Sequence, residues 1–229
     1  NAVKAKNDIV FSPHPRTKKT NKLIVDIMRE TLKKYGAPED LIITVEEPTL
    51  DISGQVMAQC DLVIATGGNA LVKAAYSSGK PAYGVGMGNA VVVVDETADI
   101  KDAANKIMLS KTFDWATSCS SENSLVVEST VYDGLLNNLQ AEGGYVVSTD
   151  EKQKLEKAMW PDGHKLSAKI VAQPAEVIAG EAGIELPEGK TFFIVEEDGV
   201  GEGYLFSNEK LSVVVTVYKY SGFDNAIAR

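Results

Sequence analysis

Short β-branched apolar runs alternate with helix-period segments along most of this chain, and no other feature narrows its fold as much. Ile9-Val10-Phe11 is an apolar run closed by Ser12-Pro13, as a buried strand would be. From Thr17 to Tyr35 the residues Leu23, Ile24, Ile27, Met28 and Leu32 recur at helical spacing, and Gly36 stands where a helix C-cap is expected. Leu41 to Val45 predicts a second strand, Gln55 to Ala58 a short helix, Leu62 to Ala65 a third strand and Asn69 to Ser77 another helix, ended by Gly79 and Pro81. Strands and helices in this alternation predict an α/β fold with a parallel sheet covered on both faces.

Beyond Gly84-Val85-Gly86-Met87-Gly88 the pattern continues more loosely. Strands are expected at Ala90–Val94, Ser124–Val127, Tyr145–Val147 and Val213–Tyr218. Helices are expected at Ile100–Leu109, Tyr132–Leu139, Leu155–Met159 and Ala175–Ala182. Two α/β lobes meeting at the glycine-rich stretch, residues 1–86 and 87–229, account for this layout.

Composition removes several function classes. A formal charge of −9 argues against nucleic acid as a partner. Arg16-Thr17-Lys18-Lys19 is a small basic cluster in this acidic chain. No apolar run approaches the roughly 20 residues that span a bilayer, and no signal peptide is visible. Cys60 and Cys119 lie in different contexts, which favours free thiols and a reducing, cytoplasmic setting over a disulfide. With only His14 and His164 available, no metal site built from several His and Cys ligands is expected.

Three constellations could carry chemistry. Leu62 to Asn69 runs a strand through Thr66, Gly67 and Gly68 into a helix, where glycines let a phosphate approach free N–H donors. A plain strand-to-helix turn would use the same glycines. Thr117-Ser118-Cys119-Ser120-Ser121-Glu122-Asn123 sets one thiol among small polar residues between a helix and a strand, as an activated nucleophile requires. A structural cysteine near a core is the alternative, and Cys60 fits that description better. Glu209-Lys210-Leu211 ahead of the last strand is either a solvated turn or a cofactor contact. His14, between two prolines, and His164, after Pro161-Asp162-Gly163, read as turn residues.

Together these stretches resemble the CoA-acylating branch of the aldehyde dehydrogenase superfamily. The likeness runs through Phe11-Ser12-Pro13-His14-Pro15, Ala65-Thr66-Gly67-Gly68, Val72 to Pro81, Gly84 to Asn89, Lys111-Thr112-Phe113-Asp114 and Cys119 to Asn123. It implies a Rossmann-type cofactor lobe followed by an α/β catalytic lobe, both incomplete at the chain ends. The family's flanking segments, including an asparagine of the oxyanion hole, would then lie outside this chain.

The resemblance also implies roles. Cys119 matches the nucleophile; Thr66, Gly67 and Gly68 the turn beside the dinucleotide phosphates; Ser12 and Pro13, with Arg16 nearby, the adenosine end. Glu209 matches the glutamate on the nicotinamide ribose. The expected reaction joins a small aldehyde to CoA with NAD or NADP as oxidant, through a thioester on Cys119, in a homo-oligomer. Hydrolytic members carry a glutamate base where this chain has Tyr83-Gly84-Val85-Gly86, with no carboxylate. The polar residues around Cys119 look like the sulfoacetaldehyde-acylating members and imply a polar or anionic aldehyde. The alternatives are a hydrolytic aldehyde dehydrogenase, an acyl-phosphate reductase of the same superfamily, and a non-catalytic dinucleotide-binding fragment.

Overall fold

The computed structural model describes residues 2–228 and divides into two compact units, one ending at Gly86 and one beginning at Met87. The first contains strands β1 (Ile9–Phe11), β2 (Ile42–Thr44), β3 (Val63–Thr66) and β4 (Ala82–Val85), with helices α1 (Lys18–Lys34), α2 (Leu50–Gln59) and α3 (Asn69–Tyr76). All pairing is parallel, but it forms two separate pairs, β1 with β2 and β3 with β4, rather than one sheet. Helix α1 stops where the glycine predicts. Gly36 adopts φ 74°, its N–H reaches Lys33 O, and the Ala37 N–H reaches Leu32 O, the paired bonds of a Schellman cap.

Two expectations fail in this unit. Burial alternates along β3, where Val63 and Ala65 pack with Met57, Leu71 and Ala75 while Ile64 stays exposed. Among the described residues the β3–β4 pair is therefore covered on one face, not two. The apolar stripe of α1 is likewise open, with Leu23 61% and Ile27 55% exposed. Strand β4 was also not anticipated, because its glycine breaks the apolar run. That glycine is required: a Cβ at Gly84 would lie 2.6 Å from Val72 and 2.7 Å from the Tyr76 ring.

The second unit is a five-stranded, wholly parallel sheet in the order β5-β6-β9-β8-β7. Its strands are β5 (Val91–Val94), β6 (Ser124–Glu128), β7 (Gly144–Val146), β8 (Phe192–Glu196) and β9 (Val214–Tyr220). Helices α4 (Ile100–Thr112), α5 (Tyr132–Ala141), α6 (Thr149–Met159), α7 (Ala175–Ala182) and α8 (Phe223–Ile227) accompany them. Strands buried on both faces lose alternation, and Leu125, Phe192, Phe193, Ile194, Val195, Val214 and Val215 are all fully buried. Strand β8, beside the central strand, is missing from the expected set although its apolar run is like those of β6 and β9. Helix α6 begins earlier than expected because Ser148 and Glu151 form a reciprocal capping box. Among the described residues, no helix is long and apolar enough to cross a membrane.

Candidate functional site

Strands β5, β6 and β9 are neighbours and run parallel, so their amino ends share one edge of the sheet. The loops entering those ends carry Gly88-Asn89, Cys119 to Asn123 and Glu209-Lys210 respectively. Topology alone thus gathers residues separated by more than a hundred positions. The contacts are direct. The Asn123 N–H donates to Ala90 O at 2.8 Å and the Thr216 N–H to Asn123 O at 3.0 Å. Asn89 Nδ2 donates to Ser207 O at 2.8 Å, and the Glu209 carboxylate accepts from the Gly88 backbone.

Cys119 occupies a corner of a reverse turn closed by the Ser121 N–H on Ser118 O at 3.0 Å. Its side chain is exposed and its thiol is free. The Cys119 N–H has no partner among the described residues, which leaves a donor beside the sulfur for a developing oxyanion. A Cβ built on Gly88 would sit 3.8 Å from both Cys119 O and Glu209 Oε1. The thiol-bearing turn and the glutamate expected at the ribose therefore flank the same glycine. Partial burial raises the Glu209 carboxyl above its ordinary value, and the Gly88 N–H offsets part of that.

The turn is approached through unusual backbone. Asp114 (φ 46°, ψ 37°), Trp115 (φ 49°, ψ 39°) and Ala116 (φ 57°) are three consecutive left-handed residues. Each costs roughly 1–2 kcal/mol against the right-handed form, and such outliers gather at functional sites. Beyond the turn the chain is held by two buried lysines. Lys111 Nζ donates to Glu122 O at 2.7 Å, and Lys210 Nζ to Phe206 O at 2.7 Å and Asn208 O at 3.0 Å. Burial lowers the Lys111 ammonium to about 7, with the Glu122 carboxylate opposing the shift. Burial, then the Lys111 charge, holds Lys210 well below its ordinary value.

A depression of about 530 Å³ opens beside the turn, lined among others by Leu109, Phe113, Ser118, Ser120 and Ser121. A cavity of about 570 Å³ lies at the opposite ends of the same strands, beside Glu128 and Tyr220. There the Glu128 carboxylate is already occupied by the Thr130 hydroxyl and N–H and by the Ser129 hydroxyl, which draw it down to about 2. Among the described residues no group of His, Cys, Asp or Glu is placed to hold a metal.

In the first unit, Ser12 follows β1 and its hydroxyl lies 2.8 Å from that of Ser53 on α2. Pro13 continues the exit from β1, and the Arg16 side chain is exposed without a hydrogen-bond or ion-pair partner among the described residues. Of the basic cluster around it, Lys18 is spent on Glu47. Thr66 ends β3, the Gly67 N–H meets Val85 O, and Gly68 is the N-cap of α3 with nothing within 4 Å of where a Cβ would stand. His14 caps its own turn and His164 sits in a turn held by Asp162, as their neighbours predict. Sequence reasoning quoted Lys111, Asn123 and Lys210 within longer stretches but gave them no role of their own, and it did not anticipate the left-handed turn. Glycine 88 was noticed only as part of a glycine-rich stretch.

The family model that matches, for the aldehyde dehydrogenase family, covers residues 1–192. The chain is 47% identical over 226 residues to a sulfoacetaldehyde dehydrogenase of Acholeplasma sp., covering 97% of this chain and 46% of that protein. An acylating sulfoacetaldehyde dehydrogenase of Bilophila wadsworthia is 43% identical over 98% of the chain and 49% of its own length. The solved acetylating aldehyde dehydrogenase of Geobacillus thermoglucosidasius superposes with a TM-score of 0.93 at 43% identity, over 98% of this chain and 50% of that one. The chain thus spans about half the length of the relatives it matches. With a family model over most of its length and parallel α/β units of the same architecture, the chain belongs to the aldehyde dehydrogenase family.

Proposed function

We propose that this chain carries the nucleophile half of a CoA-acylating aldehyde dehydrogenase, with Cys119 as the acyl-holding residue. The observation that carries the reading is the exposed Cys119 thiol, beside its own free N–H and across Gly88 from the Glu209 carboxylate. In this reading the Cys119 thiolate attacks the aldehyde carbonyl carbon. The S–C bond forms as the C=O π pair moves to oxygen, where the Cys119 N–H donates to it. A dinucleotide, when bound, would supply the hydride acceptor needed for the adduct to become a thioester. The CoA thiol, losing its proton, then attacks the thioester carbon, and the C–S bond to Cys119 breaks to restore the thiolate. Residues 83–86 form β4 and its exit and offer no carboxylate to activate water, which favours a thiol over water as acyl acceptor. Two relatives named as acylating sulfoacetaldehyde dehydrogenases, at 43% and 42% identity, support the same conclusion.

The dinucleotide would be held by the first unit, residues 1–86, with the second unit catalytic. Gly67 and Gly68 form a cradle at the amino end of α3 that suits a pyrophosphate. Ser12, Pro13 and Arg16 would meet the adenosine end, and Glu209 the nicotinamide ribose. The open space at Gly68 makes it the sharper test. Gly68→Val should weaken dinucleotide binding about tenfold while leaving thermal stability unchanged, as read by calorimetric titration and melting. Unchanged affinity would make the turn structural only.

For the substrate we infer a small polar aldehyde, sulfoacetaldehyde being the compound named for two relatives. The serine hydroxyls and apolar Leu109 and Phe113 around the depression suit a short chain with a polar end. Unpaired cysteines support a cytoplasmic setting, and the exposed α1 stripe a homo-oligomer. The deciding experiment follows NAD(P)H and acyl products with and without CoA. Reduction that depends on CoA and yields the acyl-CoA thioester is expected. Equal rates without CoA, with free acid as product, would make the enzyme hydrolytic.

A further inference from the structure

We propose that Lys111 is a positioning residue for Cys119, acting through the main-chain carbonyl of Glu122; this rests on Cys119 being the nucleophile. Lys111 lies in the last turn of α4, and its ammonium bonds Glu122 O just before β6 begins. That one bond ties the end of a helix to the start of a strand and closes residues 112–121, which carry Cys119, into a loop. Within the loop the near side is the left-handed run Asp114–Ala116, anchored where Asp114 O takes both the Thr117 N–H at 3.1 Å and its hydroxyl at 2.6 Å. The far side is fixed again one residue on, where Asn123 Oδ1 accepts the Lys210 N–H at 2.9 Å. Between these anchors Cys119 itself is exposed, and its side chain makes no hydrogen bond among the described residues.

A backbone carbonyl needs no cation to be satisfied; a backbone N–H or water serves at lower cost. Lys111 is 1% exposed, and the nearest opposite charge, Glu122, makes no ion pair with it. One Glu122 carboxylate oxygen is itself buried without a hydrogen-bond partner. An amine buried there at such cost is explained by the strength and direction of its hydrogen bond on Glu122 O, which is charge-assisted in the protonated form. Held by it, a turn that must relax against left-handed backbone keeps the sulfur and the Cys119 N–H in one arrangement.

The test uses the whole enzyme, first confirming that Cys119→Ala is inactive; an active Cys119→Ala would instead overturn the nucleophile assignment. Lys111→Met should lower kcat about 30-fold while the KM for aldehyde, CoA and dinucleotide each stay within threefold. Lys111→Arg, which keeps a cationic donor, should hold kcat within fivefold of wild type. A kcat for Lys111→Met within threefold of wild type overturns the proposal, as does a loss that arginine fails to restore. If the methionine variant does not fold, the arginine variant decides: kcat within fivefold upholds the positioning role, and a loss beyond tenfold removes it.

Discussion

Cys119→Ala should abolish the proposed CoA-dependent aldehyde oxidation, by at least ~10³-fold in kcat, while the dinucleotide should still bind within twofold of wild type. The size follows from chemistry, since without the sulfur no covalent acyl intermediate can form and no other thiol shares the unit. The clean separation of rate from binding follows from structure. Cys119 is exposed at a turn corner, so its truncation removes little buried surface. Cys60 supplies the contrast. It is half-buried at the C-cap of α2, where its N–H bonds Val56 O, so its replacement should alter melting slightly and kcat hardly at all. Intact-mass measurement after incubation with aldehyde and dinucleotide should show one acyl adduct, absent in Cys119→Ala. Activity of that variant within tenfold of wild type would sink the assignment.

How far the sequence could be read depended on whether a residue's role is local. Strands with flanking turn residues, such as Ile9–Phe11 before Ser12-Pro13, and helices closed by Gly36, announce themselves over a few positions. Helix α7 falls at the expected Ala175–Ala182. Strand β8 was not expected, although its apolar run is of the same kind as those from which β6 and β9 were read. The same distinction divides the site. Cys119 and Glu209 were legible through their polar settings and a family resemblance. Lys111 was not, for in sequence it is one more cation near a helix C-terminus, where cations are ordinary. Only the crossing from α4 to the Glu122 carbonyl makes it buried. Asn123 and Lys210 meet across 87 positions because β6 and β9 are adjacent in the sheet, an order that no local pattern encodes.

Between pH 7 and pH 10 the unfolding free energy of the wild-type protein should rise relative to that of Lys111→Met. The ordinary lysine value is 10.5, and in the folded protein burial brings Lys111 down to about 7. Below pH 7 the side chain is protonated folded or unfolded, and above 10.5 it is neutral in both states. In between, the unfolded chain holds a proton that the folded one lacks, so stability climbs with pH by about 1.4 kcal/mol per unit. Across the whole window this amounts to about 5 kcal/mol, lost again as pH falls toward 7. Two charged neighbours modify the slope. The Glu122 carboxylate favours the protonated form and narrows the window, whereas Lys210 is pressed down by Lys111, so removing Lys111 lets Lys210 recover part of its proton affinity and enlarges the difference. Urea unfolding followed by tryptophan fluorescence isolates the relevant unit, because Trp115 and Trp160 both lie beyond Met87. Parallel stability curves for wild type and Lys111→Met from pH 6 to 10 would show that Lys111 is not desolvated. A rising difference would mean that the protein tolerates its largest penalty near neutral pH. A group retained at that cost is better explained by what it holds in place than by stability, which a buried methionine would serve as well or better.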